Sequence, residues 1–175
     1  MTEGSLLAVT AIGNDRPGIV AAVTKVLYEH GCNLEDATST ILRGHFAITL
    51  VVRSGERGAA GLEADLAPIA EDLGLVVTVR PVEEADTGVV EPTHVVSVYG
   101  GDRPGIVYRV SEALAGTGAN VTALSSRVIG GDRPVYALLM EVATGAADEM
   151  TAALEALREE LDVDVSVHPM RSDVL

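Results

Sequence analysis

Gly13-Asn14-Asp15-Arg16-Pro17-Gly18-Ile19-Val20 returns as Gly100-Gly101-Asp102-Arg103-Pro104-Gly105-Ile106-Val107, an offset of 87 residues. The same offset pairs Val23 with Val110, Leu27 with Leu114, Gly31 with Gly118, Asn33 with Asn120 and Ser39 with Ser126. A match this extended marks a duplication, and internal repeats decide the architecture before any local reading does. Near residue 44 the register slips by three, so that Phe46 aligns with Tyr136 and the second copy carries a longer hairpin.

Each copy reads as βαββαβ. Residues 5–12 and 93–99 are β-branched and aliphatic, the pattern of a strand. Asp15 and Asp102 then stand where a side chain can accept from free helix N–H groups, and Pro17 and Pro104 suit a first helical turn. Ile19, Val20, Val23 and Leu27 follow at helical spacing, and Gly31 provides a left-handed stop. Ile106, Val107, Val110, Leu114 and Gly118 repeat the pattern.

Two strands come next, 33–42 with 45–53 and 120–129 with 134–142. The first pair turns at Arg43-Gly44. The second turns through Gly130-Gly131-Asp132-Arg133, an echo of the repeated loop that reads as hairpin chemistry because Val135, not Gly, follows Pro134. Leu62, Leu66, Ile69 and Leu73 form one helical stripe, and Met150, Leu154, Leu157 and Leu161 the other. Pro68 is expected to kink the first of these helices or mark a late start. Leu75–Pro81 and Val163–Pro169 close the copies as strands.

The fold class is therefore α+β, two ferredoxin-like domains with antiparallel sheets and helices on one face. The expected division is 1–82, a linker at 83–92 that is acidic and ends in proline, and 93–175. The open sheet faces invite stacking, and the strand edges invite side-by-side pairing; both arrangements stay open.

Composition narrows the function. Acidic residues outnumber basic ones 26 to 12, a net charge of −14, which argues against direct nucleic-acid binding. Cys32 is the single cysteine, so no intrachain disulfide forms. With His30, His45, His94 and His168 it shows no metal-ligand spacing, so no metal and no cofactor are expected. No signal peptide and no membrane span are read, so a cytoplasmic location is the expectation. Ser125-Ser126 and the scattered histidines form no nucleophile–base set, and the protein is expected not to be an enzyme.

The repeated loop is the candidate site. A helix start offers unpaired N–H groups and partial positive charge to a carboxylate. Gly18 and Gly105 let a ligand approach the backbone. Asp15 and Asp102 either meet an ammonium group or cap the helix. Asn33 and Asn120, toward the other end of the same sheet, offer amides that donate and accept. Such a set suits an α-amino acid, although Asp-x-Pro-Gly also describes a plain strand-to-helix turn.

At these residues the chain resembles the ACT domain family, through Asp15 to Val20 with Gly31 and Asn33, and Asp102 to Val107 with Gly118 and Asn120. The resemblance implies amino-acid sensing at an interface between two such domains. The positions it implies are Asn14, Asp15, Pro17, Gly18, Ile19 and Asn33, then Gly101, Asp102, Pro104, Gly105, Ile106 and Asn120. A chain of two such domains most resembles the glycine-cleavage-system transcriptional regulator group. That implies a homodimer acting through protein contacts, with a transcription factor as the kind of partner. The alternative is a protein–protein interaction module with a vestigial ligand site. Gly101 in place of Asn14 is a departure that sets the two sites apart.

Overall fold

The computed structural model describes residues 4–55, 58–83, 90–130, 132 and 134–170. The chain divides into two compact units, Met1–Asp86 and Thr87–Leu175. Of the stretch read as a linker, 84–89 lies outside the described residues, as do Gly131 and Arg133 of the second hairpin turn.

The first unit runs β1 (Leu6–Asn14), α1 (Ile19–Glu29), β2 (Asn33–Leu42), β3 (His45–Arg53), α2 (Gly58–Leu73) and β4 (Leu75–Pro81). The second runs β5 (His94–Gly101), α3 (Ile106–Gly116), β6 (Asn120–Ile129), β7 (Val135–Ala143), α4 (Ala147–Leu161) and β8 (Val163–Pro169). The sheets have the orders β2-β3-β1-β4 and β6-β7-β5-β8, and every pairing is antiparallel. This is the ferredoxin-like arrangement, twice.

Strand alternation places one face of each sheet under the helices. In the first unit Leu7, Val9 and Ala11 of β1 stand beside Val52, Leu50 and Ile48 of β3 and pack with Val23, Leu27, Leu62 and Leu66. In the second, Val96 and Val98 stand beside Met140 and Leu138 and pack with Val110, Leu114, Met150 and Leu154. The cores are aliphatic, in keeping with an aromatic content of 3%. β1 and β5 run two residues past the expected strand ends, to Asn14 and Gly101, because β3 and β7 keep pairing with them there.

Turn chemistry sets the connections. Gly31 and Gly118 sit at φ 73° and 72°. Behind them the Cys32 N–H donates to the Leu27 carbonyl (2.9 Å) and the Ala119 N–H to that of Leu114 (3.1 Å), closing both helices with the same left-handed stop. Arg43 and Gly44 both have positive φ, the conformation of a two-residue hairpin turn. Pro68 does not delay α2, which starts at Gly58 and continues through it to Leu73. The apolar stripe of Leu62 and Leu66 against the sheet outweighs the missing hydrogen bond.

One polar contact belongs to the first unit alone. The His30 imidazole is buried at the end of α1, with Nδ1 3.0 Å from Asp65 Oδ2 on α2. In the second unit the matching Thr117 donates its hydroxyl to the Leu114 carbonyl at 2.8 Å. No helix among the described residues is long and apolar enough to cross a membrane.

Candidate functional site

The repeated loop forms a cleft in each unit, and both clefts lie at the same place. The first, about 460 Å³, is lined by Asp15, Arg16, Gly18, Ile19, Val20, Ala21, Ile41 and Phe46. The second, about 430 Å³, is lined by Asp102, Arg103, Pro104, Gly105, Ile106, Val107, Tyr108 and Tyr136.

Gly18 and Gly105 are the hinges. They stand immediately before α1 and α3 at φ 95° and 97°, a left-handed conformation that costs other residues free energy. This corrects the expected capping. No side chain caps either helix, so Asp15 and Asp102 are not N-caps, and Pro17 and Pro104 lie in the turn ahead of the helix rather than in its first turn. The Asp15 N–H instead donates to the Gly44 carbonyl at 2.8 Å, which ties the loop to the β2–β3 hairpin.

The first intrahelical bonds run from Ala22 to Gly18 and from Arg109 to Gly105, each 2.9 Å. The N–H groups of Ile19, Val20 and Ala21, and of Ile106, Val107 and Tyr108, therefore precede the ladder and have no carbonyl within their helix. Neither first turn carries an acidic residue, whereas α4 has Asp148 and Glu149 in its own. No carboxylate of the first turn offsets the positive ends of α1 and α3, and an anion is the ligand charge such helix starts favour.

The hairpin supplies the remaining walls. Phe46 is buried and Ile41 is half exposed in the first unit. Tyr136 takes the place of Phe46 in the second, and Tyr108 takes that of Ala21. The Tyr108 hydroxyl donates to Glu112 Oε1 at 2.6 Å, and that hydrogen bond, with the Glu112 charge behind it, holds the phenol above its ordinary pKa range. Arg109, one residue on, reaches Glu160 on α4 at 2.7 and 2.9 Å and pins α3 to α4.

Not every expected site residue comes to the cleft. Asn14 and Gly101 end their strands opposite His45 and Val135 and line neither cleft. Asn33 and Asn120 pair with Arg53 and Ala143, at the far end of the sheet from the loop of their own unit. Pro17 is absent from the first cleft, and Pro104 lines the second. Arg16, Val20, Ala21, Ile41 and Phe46, and Arg103, Val107, Tyr108 and Tyr136, line the clefts but were not named as site residues from the sequence. The alignment of Phe46 with Tyr136 was the available signal that two aromatics occupy matching places. Among the described residues no cluster of His, Cys, Asp and Glu is arranged to hold a metal ion.

Comparison with protein families matches the ACT domain to residues 5–80 and again to 93–168. The chain belongs to the ACT domain family. The two matched stretches enclose both clefts.

Among relatives, a UPF0237 protein of Methanopyrus kandleri is 43% identical over 74 residues, which are 41% of this chain and 82% of that protein. The glycine cleavage system transcriptional repressor of Escherichia coli is 26% identical over 121 residues, 69% of this chain and 64% of that protein. The phosphoserine phosphatase SerB2 of Mycobacterium tuberculosis is 28% identical over 166 residues, 91% of this chain but only 39% of that protein. A crystal structure of an unknown protein from Galdieria sulphuraria superposes with a TM-score of 0.82 at 23% identity, covering 97% of this chain and 100% of that one. That likeness establishes the fold.

Proposed function

We propose that this ACT-domain chain is a cytoplasmic, amino-acid-responsive regulatory protein rather than an enzyme. The observation that carries the reading is the recurrence of one cleft, at one uncapped helix start, in both units. A turn needed only to connect strand and helix has no reason to keep an apolar-walled recess facing free N–H groups twice.

The chemistry fits a zwitterion. The carboxylate meets the helix N–H groups, the ammonium meets Asp15 or Asp102, and the side chain lies against Ile19 or Ile106. In the proposed assembly Asn33 and Asn120 act across an interface, because each stands at the far end of its own sheet. A homodimer provides that interface, and exposed strands β2 and β6 at the sheet edges support it.

The output proposed is a protein contact, in keeping with the net charge of −14 and with a relative that is a transcriptional repressor. The phosphatase activity named for SerB2 belongs to a protein of which this chain matches 39%.

Thermal unfolding of the chain against the twenty amino acids is the test. A binding amino acid stabilises the folded state by mass action, by about 2.7 kcal/mol at a hundred times its Kd, and so raises the midpoint. A flat response across the panel, with the dimer intact, rules the sensor reading out.

A further inference from the structure

Arg16 and Arg103 occupy matching places in the repeated loop, yet their surroundings differ. Arg103 donates to Asp162 Oδ2 at 2.9 Å. Asp162 is the left-handed residue that ends α4, at φ 50°. The first unit has Gly74 there, at φ 64°, and so offers no carboxylate. The local geometry is otherwise the same: a Cβ on Gly13 would meet the Gly74 carbonyl, and one on Gly100 that of Asp162. Among the described residues Arg16 has no hydrogen-bond or ion-pair partner. The walls differ in the same sense, with Ala21, Ile41 and Phe46 in the first cleft against Tyr108 and Tyr136 in the second.

Resting on the sensor reading above, we infer that the two clefts are unequal. The first takes an aliphatic α-amino acid, whose carboxylate is received by Arg16 together with the start of α1. The second binds the same ligand more weakly, because its arginine already holds a carboxylate of the chain and its walls present phenols. A ligand carboxylate must displace Asp162 from Arg103 and sit beside its negative charge. The pair is exposed, so the handicap is a factor of about two to five in Kd, not orders of magnitude.

The swap of positions 74 and 162 isolates this effect. Asp162→Gly removes the internal anion and suits φ 50° better than aspartate does. Gly74→Asp installs it in the first unit, where nothing lies within 4 Å of an added Cβ and aspartate tolerates the left-handed region.

The experiment is a titration of the 15N-labelled full chain with L-leucine and L-valine, followed at the amides of Ile19 and Val20 and of Ile106 and Val107. The first pair is expected to titrate at two to five times lower concentration than the second. Gly74→Asp weakens the first site by that factor and leaves the second, whereas Asp162→Gly strengthens the second and leaves the first. Arg16→Gln weakens the first about tenfold. L-leucinamide, which lacks the carboxylate, binds neither site well.

Loops that titrate together in the unaltered chain overturn the inference, as do swaps that leave their order unchanged or leucinamide binding as tightly as leucine. Binding confined to polar amino acids overturns the ligand class alone. Silence to all twenty removes the sensor reading itself. If Gly74→Asp does not retain the folded amide pattern, Asp162→Gly still decides.

Discussion

Gly18 and Gly105 carry the conformational demand of the whole site. Each sits near φ 95° with open space where a Cβ would stand, so substitution by alanine meets no clash and pays only for the left-handed backbone. Gly18→Ala is expected to destabilise the first unit by about 1–2 kcal/mol, and Gly105→Ala the second by as much. Urea denaturation reads this as a lower midpoint with an unchanged slope. An unmoved midpoint would show that the glycine conformation is not required. The motif could be read in the sequence, but its geometry could not. Asp-Arg-Pro-Gly fits a proline inside the helix with an aspartate cap as well as it fits a glycine hinge. The choice is made by the hairpin, whose Gly44 carbonyl takes the Asp15 N–H.

Helix α2 tests how far packing overrides local propensity. Pro68 lies in its interior and is exposed, so its ring contributes little to the core while its missing N–H leaves the Ala64 carbonyl without its helical donor. The matching helix α4 has Ala156 at this place and runs Ala147–Leu161 unbroken. Pro68→Ala is therefore expected to stabilise the first unit by about 1–3 kcal/mol, seen as a higher urea midpoint. A loss of stability would mean that α2 needs the proline's geometry.

The legibility of the elements follows the same logic. β2, β3, β4, β6 and β8 were read to the residue, because their ends are fixed by glycine, proline and hairpin chemistry. The ends of β1 and β5 were missed by two residues, since only pairing with β3 and β7 extends them. The loop side of each cleft was read from the sequence, in Asp15, Gly18 and Ile19 and in Asp102, Pro104, Gly105 and Ile106, whereas the hairpin walls were missed. Ile41 and Phe46 come to Ile19 through the β2–β3 register, a long-range fact that no spacing along the chain encodes.

At the scale of the molecule, the two cores share no residue: one is centred on Leu7, Leu50, Leu62 and Leu66, the other on Leu138, Met140, Met150 and Leu154. Each unit then has a core of its own, and unfolding is expected in two steps. Leu66→Ala removes a fully buried side chain from the first core and is expected to lower its step by about 2–5 kcal/mol; Leu154→Ala does the same for the second. These variants assign the steps, and the assignment lets ligand linkage report on both clefts at once. With L-leucine at ten times the first site's Kd, the step lowered by Leu66→Ala gains about 1.4 kcal/mol. A second site five times weaker gives the other step only about 0.65 kcal/mol. Urea titrations of both variants with and without leucine measure the two gains. Equal gains would mean equivalent clefts, and a single merged transition would mean that the units do not unfold as separate bodies. The expected inequality makes one chain respond to one ligand over a wider concentration range than a single site does, because the Asp162-paired cleft fills only after the Arg16 cleft has begun to saturate.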